Sequence, residues 1–178
     1  MVLIGLGKVG ARIAQLSAAL GVKVIGHRRS GEGVKPAGVA RIVDSAALDE
    51  ALPNADLLVI AAPETSETKK LIDRRRLELL PSRAVVVNVG RGSVIDEAAL
   101  IDLLRSGRIR GAALDVFGEE PLPPESPLWE MPNVIISPHS ASTVVQENDR
   151  IVDLFIENLG RFLDDRPLVN EFDHRRRY

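Results

Sequence analysis

Seven short aliphatic runs recur along this chain: VLIG (2–5), VKVIG (22–26), ARIV (40–43), DLLVIAA (56–62), AVVVNVG (84–90), GAALDVF (111–117) and NVIISPH (133–139). Most are apolar without alternation, the pattern of strands covered on both faces. Between them the apolar spacing becomes helical. Val9, Ile13, Leu16 and Leu20 follow at 4, 3 and 4, predicting an inward helix face that stops at Gly21. A helix is predicted over about 66–80, stopped by Pro81. Another starts after Asp96 as N-cap, turns Leu100, Leu103 and Leu104 inward and ends at Gly107. A long last helix is predicted from Ser142 to about Leu163 on Val145, Ile151, Val152, Phe155, Ile156 and Leu159. The proline-rich segment 119–132 reads as a packed loop anchored by Trp129. Strand–helix alternation of this kind predicts an α/β fold, a doubly wound parallel sheet with helices on both faces. The expected division is one domain over 1–163 and a C-terminal tail over 164–178.

Composition narrows the class. The 178 residues suffice for one domain with a real core. Hydrophobic residues make up 45% and charged residues 27%, the net charge is −2, and there is no cysteine. Disulfides, thiolate metal sites and a thiol nucleophile are therefore excluded, and no metal is expected. No apolar run approaches a membrane span and no signal-peptide pattern opens the chain, so a cytoplasmic protein is the default. A buried-looking strand starts at the first residues, which suggests that an N-terminal part is missing.

Ligands bind such sheets beyond the carboxyl ends of the strands. The polar motifs fall there. GLGKVG supplies Gly5, Gly7 and Gly10 in G-x-G-x-x-G spacing between a strand and a helix, the context of dinucleotide binding. Lys8 and Val9 lie inside that loop. Beyond the second strand stands HRRS: His27, Arg28, Arg29 and Ser30. An NAD site would place a carboxylate near Arg28, about 20 residues past the glycines. An arginine there suits a 2′-phosphate, so NADP(H) is favoured over NAD(H). An exposed turn, or arginine stacked on adenine, are the alternatives. Arg91 lies between Gly90 and Gly92, glycines that would open space for a ligand, and is suited to grip a carboxylate; a turn-shaping salt bridge is the alternative. Asp115, Glu119 and Glu120 supply acids and His139 a proton donor for an alkoxide formed by hydride transfer. Arg74, Arg75 and Arg76 read as a solvated helix face, and 174–178 as a mobile basic tail.

GLGKVG, NVGRGSVIDEAAL, GAALDVFGEEPLPPESPLWEMPNVIISPH and the order Arg, Glu, His resemble the nicotinamide-domain half of D-isomer-specific 2-hydroxyacid dehydrogenases over essentially the whole chain. The resemblance implies a Rossmann-type domain in which Arg91 binds the substrate carboxylate and carbonyl. It implies that Glu120 pairs with His139, the acid/base, and that Asp115 lies near the nicotinamide carboxamide. AAPETSET resembles the segment that runs beside the cofactor, pointing to Ala62, Pro63 and Thr68. Val89, Gly90, Arg91, His139 and Ala141 complete the expected cofactor-facing set. HRRS resembles the NADP-preferring glyoxylate and hydroxypyruvate reductase branch. The family's N-terminal substrate-domain segment is missing from this chain. The resemblance also implies a homodimer through the nucleotide-binding domain.

The expected function is hydride transfer between NAD(P)H and C2 of a small 2-oxo or 2-hydroxy acid. The alternative is a cofactor-binding module without turnover, either truncated or like the C-terminal-binding corepressors. Net charge and scarce aromatics make nucleic-acid binding remote.

Overall fold

The computed structural model describes residues 1–29 and 34–172. It divides into two compact units, 1–139 and 140–178. In the first, all seven aliphatic runs are strands: β1 (Val2–Ile4), β2 (Val24–His27), β3 (Val39–Val43), β4 (Leu57–Ile60), β5 (Val85–Asn88), β6 (Gly111–Leu114) and β7 (Val134–Ile136). They form one parallel sheet in the order β3-β2-β1-β4-β5-β6-β7. The chain moves outward from β1 to β3, then returns to the other side of β1 and proceeds to β7. That reversal at β1 and β4 opens the crevice where doubly wound sheets bind ligands.

Successive strand residues point to opposite faces, and the core follows that alternation. Val2, Ile4, Leu58, Ile60, Val86 and Leu114 pack with Leu48, Leu52, Leu77 and Leu100. These last four come from α2 (Leu48–Ala51), the turn that follows it, α3 (Arg74–Leu79) and α4 (Glu97–Arg105). Leu3, Val24, Val39 and Val59 face the opposite way and pack with Ala14 and Ile13 of α1 (Lys8–Ala19). Asp96 caps α4 as the sequence predicts, its Oδ1 accepting from Ala99 N at 3.1 Å.

The structure differs from the sequence prediction at several helices and in one loop. In α1 the buried residues are Gly10 and Ala14, while Val9, Leu16 and Leu20 are 60%, 50% and 84% exposed. The cause is backbone contact: a Cβ on Gly10 would stand 2.0 Å from Gly5 O, so the small-residue face meets the sheet. The helix expected over 66–80 is only α3, because Thr65 and Thr68 divert the preceding backbone. Thr65 N donates to Thr68 Oγ1 at 2.8 Å, that hydroxyl donates to Pro63 O at 2.7 Å, and Lys70 turns left-handed at φ +50°. Arg74 and Arg75 are exposed as expected, but all three arginines are paired and Arg76 is partly buried. Arg74 pairs with Asp102, while Arg75 and Arg76 reach Asp49 at 2.6 and 2.8 Å. In the proline-rich loop, Leu128 is the buried anchor and Trp129 stays half exposed, its indole N–H bonded to Pro123 O at 2.9 Å.

The second unit contains α5 (Glu147–Leu163), which starts five residues later than the predicted Ser142. Its apolar residues Ile151, Val152, Phe155, Ile156 and Leu159 follow helical spacing along one face. The chain beyond it folds back: Asn158 donates to Val169 O at 3.0 Å and accepts from Val169 N at 2.9 Å. The basic residues 174–178 lie outside the described residues.

Candidate active site

The glycine loop joins β1 to α1. Gly5 has φ +93°, a conformation that a side chain resists. Gly10 meets the Gly5 carbonyl and seats the helix on the strand. Between them, a Cβ on Gly7 would find nothing within 4 Å. The helix begins at that open point, and no side chain caps it. This is a cradle with room for a pyrophosphate, so these residues fit a dinucleotide, which the turns after β2, β4 and β5 would flank.

At the β2 end, Arg28 N is paired to Val43 O at 3.0 Å, and its guanidinium reaches Val34 O at 3.3 Å. Arg29 is exposed and pairs with Glu67 at 2.5 Å, across from the turn after β4. His27 turns inward. The residue is 5% exposed, and Nε2 lies 3.1 Å from Ser45 Oγ. Burial pushes its pKa down to about 4; Arg76 adds to the effect and Asp44 opposes it. Ser30 lies outside the described residues.

After β4, Ala62 is buried, while Pro63 O anchors the Thr68 hydroxyl. After β5, Val89 N pairs with Ile60 O at 3.0 Å. Asn88 sits fully buried below this turn. Its amide donates to Arg91 O at 3.1 Å and its carbonyl accepts from Gly90 N at 3.1 Å. Arg91 is exposed, and its Nη1 donates to Gly90 O at 2.7 Å. The flanking glycines serve close packing, not ligand space as the sequence suggests. A Cβ on Gly90 would stand 2.6 Å from Ala62 O, and one on Gly92 1.8 Å from Phe117 O. No salt bridge holds Arg91 among the described residues.

The β6 and β7 ends carry the acid–histidine pair. Glu120 Oε2 lies 2.6 Å from His139 Nδ1, and Oε1 accepts from Phe117 N at 2.9 Å. That backbone bond is the largest cause holding the Glu120 carboxyl below its usual value, with His139 and the Arg91 charge adding to it against partial burial. An ionised carboxylate only accepts, so Nδ1 is the donor and Nε2 is the ring position that holds or releases a second proton. His139 itself has φ +52°, a left-handed conformation costing a non-glycine residue about 1 kcal/mol or more. Asp115 is 5% exposed, its backbone N bonded to Asn88 O and its carboxylate to the Ser137 hydroxyl. Glu97 steadies the next turn by accepting from Gly118 N at 2.9 Å.

The first unit thus brings the glycine loop, Arg91, Asp115, Glu120 and His139 to one strand-end edge; Ala141 belongs to the second unit. Sequence reasoning missed Asn88, Ser137, Glu97 and Glu67. Asn88 alone left a sign, as the one polar residue in AVVVNVG. Among the described residues no group of three His, Asp or Glu side chains is placed to hold a metal ion, and no helix is long and apolar enough to cross a membrane.

Comparison with known proteins agrees with this geometry. Residues 1–141 match the model of the "D-isomer specific 2-hydroxyacid dehydrogenase, NAD binding domain" family. A glyoxylate reductase from Aeropyrum pernix is 40% identical over 162 residues, covering 90% of this chain and 47% of that protein. A D-isomer specific 2-hydroxyacid dehydrogenase from Xanthobacter autotrophicus Py2, solved in complex with NADPH and MES, superposes with a TM-score of 0.91 at 40% identity, over 100% of this chain and 72% of that one. An NADPH-dependent glyoxylate/hydroxypyruvate reductase from Sinorhizobium meliloti, solved with NADP and sulfate, gives a TM-score of 0.90 at 34% identity, over 99% and 56%. The chain spans about half the length of the glyoxylate reductase it matches. With the parallel sheet, the glycine cradle and the Glu120–His139 pair all in place, the chain belongs to the D-isomer specific 2-hydroxyacid dehydrogenase family, of which it carries the NAD binding domain.

Proposed function

We propose that the protein to which this chain belongs interconverts a small 2-oxo acid and its D-2-hydroxy acid, of the glyoxylate and hydroxypyruvate kind. The observation that carries the proposal is the 2.6 Å contact between His139 Nδ1 and Glu120 on the edge that also holds the glycine cradle. A reduced nicotinamide, when bound, supplies the hydride for C2. Glu120 orients the imidazole so that Nε2 faces outward and delivers a proton to the carbonyl oxygen as it gains charge. Arg91 binds the substrate carboxylate and polarises the carbonyl. Asp115, fixed by Ser137, would face the carboxamide of a bound nicotinamide. In the oxidative direction Nε2 takes the hydroxyl proton back.

The cofactor favoured is NADP(H). Arg28 and Arg29 stand where an NAD site would place an acid, and two similar proteins were solved with NADPH or NADP. A homodimer belongs to the same reading through the family.

The test is to bind NADPH, add glyoxylate or hydroxypyruvate, and follow cofactor absorbance in wild type and His139→Ala. Oxidation that depends on His139 supports the reading. Binding without oxidation, unchanged in the variant, makes this chain a cofactor-binding module. Cofactor choice is read from the NADPH-to-NADH affinity ratio in Arg28→Ala and Arg29→Ala. A ratio unchanged in both removes the phosphate pocket.

A further inference from the structure

We infer that Glu67 is a specificity-determining residue that competes with the cofactor's 2′-phosphate for Arg29; this rests on the reading of the β2 end as a phosphate pocket. Arg29 follows β2 and Glu67 lies in the turn after β4, and β2 and β4 are the two neighbours of β1. Their 2.5 Å ion pair therefore joins the two flanks of the glycine loop at the carboxyl edge of the sheet. In folds of this type the adenosine ribose reaches from that loop to the end of β2. The pair thus sits where the ribose 2′-substituent has to be received.

A 2′-phosphate offers Arg29 more charge and more acceptor oxygens than one carboxylate. Binding NADPH exchanges Glu67 for the phosphate and leaves the released carboxylate near a dianion. NADH makes no such exchange, and its ribose hydroxyls leave the pair standing. Glu67 therefore lowers the advantage of NADPH over NADH. Both side chains are more than half exposed, at 59% and 53%, so the pair is weak and the effect is a few-fold. The turn does not depend on the carboxylate. Thr65 Oγ1 accepts from Glu67 N at 3.3 Å, and the Thr65–Thr68–Pro63 bonds hold the backbone. Glu67→Gln removes the charge and keeps the shape.

The experiment measures NADPH and NADH dissociation constants by calorimetry for the parent chain, Glu67→Gln, Arg28→Ala, Arg29→Ala and the Glu67→Gln/Arg29→Ala double variant. NADPH is expected to bind about three- to fivefold tighter to Glu67→Gln, NADH to change less than about twofold, and the gain to vanish in the Arg29→Ala background. An unchanged or reversed cofactor ratio in Glu67→Gln overturns the competition. So does an equal gain with Arg29 absent, since Glu67 would then act only as a nearby negative charge. If neither Arg28→Ala nor Arg29→Ala alters the ratio, the phosphate-pocket reading itself fails, whatever Glu67→Gln does.

Discussion

The two ends of the strand-end groove are built on different principles. At the β5–β7 end each polar group is held by another fixed one. Asn88 ties the Arg91 turn, Ser137 holds Asp115, Phe117 N and His139 share the Glu120 carboxylate, and Glu97 braces Gly118. At the β2 end Arg29 holds an exposed carboxylate and Arg28 a long 3.3 Å contact to a carbonyl. The proposed proton and hydride transfer would need reacting atoms placed to a fraction of an ångström, and the fixed contacts of the first end suit that demand. Recognition of a phosphate charge falls off slowly with distance, so the second end tolerates partners that exchange.

The sharpest challenge to this contrast is at His139. In His139→Ala, kcat for 2-oxo acid reduction is expected to fall about 10²- to 10⁴-fold, with NADPH affinity nearly unchanged in a direct binding assay. Next comes the cradle between the two ends. Gly10→Ala forces a Cβ to within 2.0 Å of Gly5 O and should lower unfolding stability by about 3 kcal/mol or more in urea. Gly7→Ala meets nothing within 4 Å, so its chevron should stay near wild type while cofactor affinity drops. Equal stability losses in the two variants would show that the cradle has no open side.

Glu120→Gln keeps the size and removes the charge. A kcat loss of about ten- to a hundredfold is expected, without a matching change in cofactor binding. A rate equal to wild type would mean that the imidazole is oriented by something else.

His27 sharpens the comparison, because the residue just before Arg28 and Arg29 is itself buried. Its pKa is about 4 when folded against 6.5 otherwise. Between those values the unfolded chain binds a proton that the folded chain refuses. Stability should therefore fall as pH drops through this window, by up to about 1.4 kcal/mol per pH unit and about 3 kcal/mol in all. Asp49 and Glu120 are held below their usual values, so their contributions are lost only at lower pH. Denaturation of wild type and His27→Gln at pH 7 and pH 5 separates the two windows. The smallest effect in this series is at Arg29. Arg29→Ala should cut the NADPH-to-NADH preference about tenfold and leave kcat with NADPH little changed.

Much of this was legible in one dimension. Buried parallel strands need continuous aliphatic runs, so all seven strands, the parallel sheet and the strand-end edge could be read from the sequence, while the strand order could not. Arg91 and His139 stood out at the ends of such runs, whereas the choice of Glu120 over Asp115 and Glu119 came from the family resemblance. Helix ends and faces were less legible. Thr65, Thr68 and Lys70 end a helical pattern through local bonds that periodicity does not register. The face of α1 follows a backbone contact at Gly10 rather than its larger side chains.

The sequence by itself determined the strand set, the glycine motif and which charged residues stand at the strand ends. Those depend on neighbours along the chain: apolar runs, glycine spacing and residue type. Only the tertiary structure decided which residues meet. It brought Ser137 to Asp115 and Glu67 to Arg29, and it drew His27 into the interior. Those two pairings join residues 22 and 38 positions apart, and strand order and packing, not local pattern, set their distances.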